Sequence, residues 1–243
     1  MTVKTGSLFI SDLHLSFEKP EITRRFLNFL QQRAASAQAL YILGDLFDTW
    51  IGDDDNTPPN KTIKQALRQL TAGGTQVYLL QGNRDFLLGA DFADATGIHL
   101  LTEYSVIELE DQPVLLTHGD LLCSDDLAYQ IFRRKSHSPE WQQNVLSKPL
   151  WLRLLAARWY RLRSFWHKRH KSQNIMDVNQ QTVVSVMQQY GCYTLVHGHT
   201  HRPARHEFNI GTVPALRLVL AEWKKDGAAA LFWQNGVWQV ETV

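Results

Sequence analysis

The sequence predicts a layered α/β sandwich, flanked by helices and interrupted by a helical insertion. Three observations carry that expectation. Short apolar runs end in clusters of Gly, Asp and His; helical patterns separate the first three runs; and the chain closes on strand-like pattern alone. At 243 residues the chain is long enough for one large domain or a domain with an elaborate insertion.

The first run, Leu8-Phe9-Ile10, leads into Ser11-Asp12-Leu13-His14. The second, 39–43, leads into Gly44-Asp45, and the third, 77–80, into Gly82-Asn83-Arg84-Asp85. Two more, 114–116 and 193–196, lead into His118-Gly119-Asp120 and His197-Gly198-His199-Thr200-His201. Runs of this length, bounded by Gly and Asp, read as buried strands. Helical pattern fills 20–35 and 62–72, the latter closing at Gly73-Gly74. The alternation implies β-α-β units with polar residues gathered at the strands' carboxyl ends, where open sheets bind ligands. After His201 strands are expected over 216–223, 228–233 and 237–243, with hairpins at Gly227 and Asn235-Gly236.

The segment 133–171 breaks this pattern. It is rich in Arg and Lys, its only acid is Glu140, and it holds four of the eight tryptophans: Trp141, Trp151, Trp159 and Trp166. Trp151, Leu155, Trp159, Leu162 and Trp166 recur at helical spacing, so the segment reads as a basic helical insertion with one apolar stripe. The domain division is therefore a core of 1–132 and 172–243 around the insertion. The plainer alternative is that the tryptophans pack in a helical core and the arginines are solvated.

Over the whole chain 25 basic residues balance 24 acidic ones, which gives no global hint of a nucleic-acid partner. The two cysteines, Cys123 and Cys192, lie outside any CxxC spacing, which favours a reduced protein. The first residues lack a secretory signal pattern, and no apolar run approaches the roughly 18 residues of a membrane span. Any membrane contact is expected to be peripheral.

Taken singly, each polar cluster has a plain structural reading. Gly44-Asp45 and Gly82-Asn83 suit turns, and a lone His118 suits a structural hydrogen bond. His199-x-His201 is a stronger signal, because alternate residues of an extended segment point the same way. Together the five strand ends bring Asp12, His14, Asp45, Asn83, His118, His199 and His201 to one edge of the fold. Imidazole, carboxylate and amide oxygen suit divalent first-row metals, and seven donors are too many for one ion.

In this order, Asp12-x-His14, Gly44-Asp45-x-x-Asp48, Gly82-Asn83-Arg84-Asp85, His118 and Gly198-His199-x-His201 resemble the calcineurin-like metallophosphoesterases. That resemblance implies the family's layered β-sandwich and two metals. Asp12, His14, Asp45 and His201 surround the first, and Asp45 bridges to a second held by Asn83, His118 and His199. Two such ions lower the pKa of a shared water and clamp the oxygens of an in-line displacement at phosphorus. Many relatives have Asn-His-Glu where this chain reads Asn83-Arg84-Asp85. An arginine is no proton donor near neutral pH but stabilises phosphate charge well. The substrate's leaving group is thus expected to be one that needs no proton, such as a phosphate; the plainer reading pairs Arg84 with Asp85.

Longer motifs narrow the resemblance. Gly44-Asp45-Leu46-Phe47-Asp48-x-Trp50-x-Gly52-Asp53-Asp54, His118-Gly119-Asp120-x-Leu122-Cys123-x-Asp125-Asp126 and 175–179 resemble the UDP-2,3-diacylglucosamine hydrolases of lipid A biosynthesis. That family implies Mn²⁺, water attack at the α-phosphorus, and UMP and 2,3-diacylglucosamine 1-phosphate as products. It implies substrate contacts at Asn83, Arg84, Asp126, Ser164, Lys168, Lys171 and His199. It also implies that 133–171 caps the lipid, with the protein on the cytoplasmic face of a Gram-negative inner membrane. Position 168 is lysine where the family commonly has asparagine, and Ser124 stands for a usual threonine. The alternatives are another di-metal phosphodiesterase or nucleotide pyrophosphatase, and a non-enzymatic metal-bearing scaffold.

Overall fold

The structure, a computed structural model, describes residues 4–168 and 177–243, with the backbone alone over 160–168. In chain order the core begins with β1 (Ser7–Ile10), α1 (Pro20–Gln32), β2 (Ala39–Leu43), α2 (Asn60–Ala72), β3 (Gln76–Leu80), α3 (Ala90–Thr96) and β4 (His99–Leu101). It continues with β5 (Ser105–Leu109) and β6 (Gln112–Thr117), then α4 (Leu127–Ser136), α5 (Pro139–Leu146) and α6 (Leu150–Lys168). It closes with α7 (Gln180–Gln189), β7 (Thr194–His197), β8 (Ala204–Ile210), β9 (Val213–Val219), β10 (Ala229–Gln234) and β11 (Val237–Thr242).

These strands form two sheets, ordered β11-β10-β1-β2-β3-β4 and β5-β6-β7-β9-β8. β1 to β4 pair in parallel, and β10 closes the other side of β1 antiparallel. The alternation of side chains along each strand builds three apolar layers. Leu8 and Ile10 of β1 join Phe26 and Phe29 of α1, Leu67 of α2 and Phe92 of α3 on the outer face. Phe9, between them, faces inward with Tyr41, Leu43 and Leu80 against Val114, Leu116, Val196 and Leu218 of the second sheet. Leu115 and Leu195 point the opposite way, onto Val183 and Met187 of α7. Strands covered on both faces read as continuous apolar runs, which is why these were the ones visible in sequence. The layered sandwich with its helical insertion is the observed architecture.

The differences have local causes. α1 stops at Gln32 and a 3₁₀ turn, Ala34–Ser36, completes the predicted helical stretch. β8 carries polar residues on both faces of an exposed edge, so it shows no alternation in sequence. β4, β5, α3 and α7 were not anticipated; β4 spans only three residues and α3 only seven. Asn235-Gly236 makes the predicted hairpin between β10 and β11. Gly227 does not join partner strands: it closes a tight turn with Lys224, while β9 and β10 lie in different sheets. The predicted strand 216–223 ends at Val219, and the chain then leaves the sheet.

The helices α4, α5 and α6 follow β6. Trp141 of α5 packs beside Phe86, ring centroids 5.9 Å apart, at the edge of the outer core. On α6, the stripe residues Trp151, Leu155 and Trp159 are more than half exposed, and the buried residue of that turn is Arg153. Leu162 and Trp166 lie outside the described side chains. Arg153 reaches across to the loop after β2, donating to the carbonyl of Ile51 and pairing with the carboxylate of Asp54, while its Nε donates to the Lys148 carbonyl at 2.8 Å. Gly52 makes room for it. Its φ is +136°, and a Cβ there would lie 2.1 Å from the Arg153 Nη1.

Gly52→Ala therefore forces either the loop or the Arg153 contact to move. The expected loss is about 1–3 kcal/mol of stability, seen as a Tm lowered by several degrees. An unchanged Tm would show that this contact does not hold α6 to the core.

Candidate metal centre

The carboxyl ends of β1, β2, β3, β6 and β7 converge, and all seven expected donor residues meet there. Two of these strands come from the second sheet and three from the first, so the centre straddles the sandwich. On one side the Nε2 of His201 lies 3.2 Å from Asp12 Oδ1 and 3.4 Å from the His14 Nε2. On the other, Asn83 Oδ1 lies 3.1 Å from the His118 Nε2 and 2.9 Å from the His199 Nδ1. Asp45 stands between them, with Oδ2 3.8 Å from His14 Nδ1 and Oδ1 3.7 Å from His118 Nε2.

The backbone is bent to achieve this. Asp12, His14, Asp45, His199 and His201 all have φ between +48° and +69°, a region that costs a side-chain-bearing residue on the order of 1 kcal/mol or more. His199 and His201 are therefore not alternate residues of an extended segment, as the sequence suggested. They turn to opposite sides of Asp45, His199 towards Asn83 and His201 towards Asp12. Gly82 is needed for a different reason: a Cβ there would lie 2.2 Å from Asp45 Oδ1.

Neighbouring groups then hold the donors. The buried carboxylate of Asp85 accepts from the amides of Gly82 (2.8 Å), Phe47 (3.2 Å) and Asp45 (3.3 Å), tying the β2 and β3 turns together. That is its role here, and among the described residues Arg84 does not pair with it. Instead the Arg84 amide donates to Asp45 Oδ1 at 2.8 Å. Asp12 accepts from Ser11 Oγ at 2.6 Å and from the His199 amide at 2.9 Å, linking the two histidine clusters. The ring of His118 donates from Nδ1 to the Leu43 carbonyl at 2.8 Å, leaving Nε2 to face Asn83 and Asp45.

The electrostatics favour a cation. Burial pushes the Asp45 carboxyl up to about 7, with Asp85 and Asp12 adding to the cost of its charge. Burial opposes charge on His118, yet Asp45 and Asp12 carry its pKa up to about 9. Burial also holds His14 near 4 and His199 near 3, so these imidazoles are neutral and offer lone pairs. Among the described residues, Asp12 Oδ1 and His14 Nδ1 are buried without a hydrogen bond. The groups Asp12, His14, His201 and Asp12, Asp45, His118 each place their donor atoms close enough to share an ion. The donor set fits divalent metal.

The expected substrate residues fare differently. Asn83, Arg84 and His199 lie at the centre, and Asn83 and Arg84 also line an apolar cavity of about 460 Å³. Asp126 caps α4, accepting from the Tyr129 amide at 3.1 Å. Ser164 and Lys168 lie beyond the described side chains, and Lys171 lies outside the described residues. Ser124 pairs with Thr182 at 2.8 Å. Cys123 and Cys192 are both buried. No described helix is long and apolar enough to cross a membrane.

Residues 7–203 match the model of the family described as calcineurin-like phosphoesterase. The chain is 46% identical to the UDP-2,3-diacylglucosamine hydrolase of Cellvibrio japonicus, an alignment covering 91% of this chain and 92% of that protein. It is 49% identical to the protein of the same name from Serratia proteamaculans, covering 92% of this chain and 93% of that one. For the protein of that name from Pseudomonas fluorescens the identity is 50%, covering 91% and 89%.

One residue with no role assigned from sequence joins the helices to the centre. Asp120 lies two positions after His118 and is buried. It accepts from Tyr129 Oη at 2.6 Å and from Arg133 Nε at 2.5 Å, and Arg133 also pairs with Glu103 at 2.8 Å. The Tyr129 ring centroid is in turn 6.2 Å from that of His199. Asp120→Ala leaves a buried guanidinium without its nearest carboxylate and should cost roughly 3–5 kcal/mol. Chemical denaturation would measure it; a loss below 1 kcal/mol would mean Glu103 alone satisfies Arg133.

Proposed function

This chain belongs to the calcineurin-like phosphoesterases and, within them, to the UDP-2,3-diacylglucosamine hydrolases, and on that premise we propose that it hydrolyses UDP-2,3-diacylglucosamine. Water attacks the α-phosphorus, the phosphoanhydride bond breaks, and UMP and 2,3-diacylglucosamine 1-phosphate leave. The observation that carries this reading is the junction at Asn83 and Arg84. The same two residues border the donor cluster and line a cavity walled by Trp50, Phe86, Leu87, Trp141, Val145 and Leu152. A diphosphate joined to acyl chains needs polar and apolar surroundings side by side.

Two Mn²⁺ are the proposed cofactor, the first held by Asp12, His14, Asp45 and His201, the second by Asp45, Asn83, His118 and His199. When bound, such a pair supplies Lewis acidity and a water acidic enough to be deprotonated near neutral pH. Asp45, bracketed by His14 and His118, is suited to bridging. Arg84 has no ion-pair partner among the described residues, so its guanidinium is available to a phosphate. No group nearby need protonate the departing phosphate. Asp126, Ser164, Lys168, Lys171 and His199 remain proposed substrate contacts.

We assign 133–171 as the lipid-facing cap on the core formed by 1–132 and 172–243. Trp151, Leu155 and Trp159 of this segment, with Leu127 and Ile131 just ahead of it, expose apolar surface in a stretch rich in basic residues. That combination suits peripheral contact with an anionic membrane, here the cytoplasmic face of an inner membrane.

Release of UMP from UDP-2,3-diacylglucosamine with Mn²⁺ should be readily measured, and Asn83→Ala should abolish it. Arg84→Ala should lower kcat/KM by about 10²- to 10³-fold. Turnover of bis(p-nitrophenyl) phosphate with none of the UDP-lipid would discard the lipid assignment and keep the metallophosphoesterase. Co-sedimentation with anionic vesicles should fall when Arg158, Arg161 and Arg163 are changed to Glu and when Trp151 is changed to Ser. Binding that survives both changes would refute the membrane contact.

A further inference from the structure

We infer that Glu222, on the chain leaving β9, is a positioning residue for the metal centre: its carboxylate aims the His201 imidazole at the cation. This rests on His201 being a ligand, as proposed above. The Oε2 of Glu222 lies 3.2 Å from His201 Nδ1, while the other ring nitrogen, Nε2, faces Asp12 and His14. A proton on Nδ1 donated to the carboxylate leaves the Nε2 lone pair for a metal and makes it a stronger donor.

His201 needs such a partner more than its neighbours do. Its side chain is 36% exposed, against 2% for His118, whose ring is already locked by the Leu43 carbonyl. Glu222 itself stands on a fixed support. The Leu220 amide donates to the His197 carbonyl at 2.8 Å, and the Trp223 amide donates to the Asp12 carbonyl at 3.2 Å. The Trp223 side chain is buried edge-on against Phe26 and Phe29, at 6.1 and 5.4 Å. The segment carrying Glu222 is thus bound to Asp12 on one side of His201 and to the helix layer behind it.

The test is Mn²⁺ binding to the metal-free full chain, by calorimetry and by competition with a chelating dye. Wild type, Glu222→Leu, Glu222→Gln and His201→Ala are compared. Glu222→Leu should weaken one of two Mn²⁺ sites by about 10- to 100-fold. Glu222→Gln, which keeps an acceptor and nearly the same shape, should lose less, and His201→Ala should weaken the same site. A merely structural Glu222 would lower the Tm of the metal-free chain without singling out one site. Wild-type binding in both Glu222 variants, with His201→Ala impaired, would overturn the role of Glu222. Wild-type binding in His201→Ala as well would instead overturn the ligand reading beneath it. Should Glu222→Leu not fold, Glu222→Gln decides alone: weakening confined to one site upholds the inference, and wild-type binding overturns it.

Discussion

Everything in this molecule is arranged around a crowd of buried groups that repel one another unless positive charge lies among them. Asp12 and Asp45 are almost wholly buried, the imidazoles of His14, His118 and His201 crowd against them, and the Asn83 amide oxygen sits between His118 and His199 beside them. Apolar burial of this density raises the cost of each carboxylate's charge, which is why Asp45 is held so far above its ordinary range. The backbone adds to the cost by holding five of the donors at positive φ. Such an arrangement persists only because the sandwich on both sides over-determines it.

That over-determination is visible in the groups just behind the donors. Asp85 gathers three amides and so aligns the turns after β2 and β3. Asp12 accepts the His199 amide and so joins the ends of β1 and β7, which belong to different sheets. The Leu43 carbonyl orients His118, and the segment after β9 threads between the His197 and Asp12 carbonyls. Each link is a hydrogen bond in a water-poor place, where an unmade bond is costly and a made one holds its geometry firmly.

The helices that follow β6 are joined to this centre by charge more than by apolar packing. Asp120 holds Tyr129 and Arg133 of α4 within two residues of His118. Arg153 of α6 fastens the loop of Ile51 and Asp54, and both Arg153 and Ile51 line the cavity that Asn83 and Arg84 border. The cavity is apolar while its two fastenings are ionic. Its apolar walls can meet a hydrophobic guest, and Trp151 and Trp159 of α6 are more than half exposed.

The sequence by itself determined which residues meet at the strand ends, because runs of buried strand residues have little freedom and end abruptly in Asp, His and Asn. Leu8 to Ile10 and Leu40 to Ile42 announce fully covered strands, and the polar residues after them must gather where those strands end. It determined less where pattern is weak: β8 is an exposed edge and β4 a three-residue strand, so neither carries a period. Only the tertiary structure decided that His199 and His201 face opposite sides, since positive φ is invisible to an alternation argument. It alone revealed the roles of Asp85, Asp120, Arg153 and Glu222, whose partners lie up to 102 positions away in the chain. A local pattern reports which residues must be buried, but a hydrogen bond between distant segments exists only once the layers have closed around it.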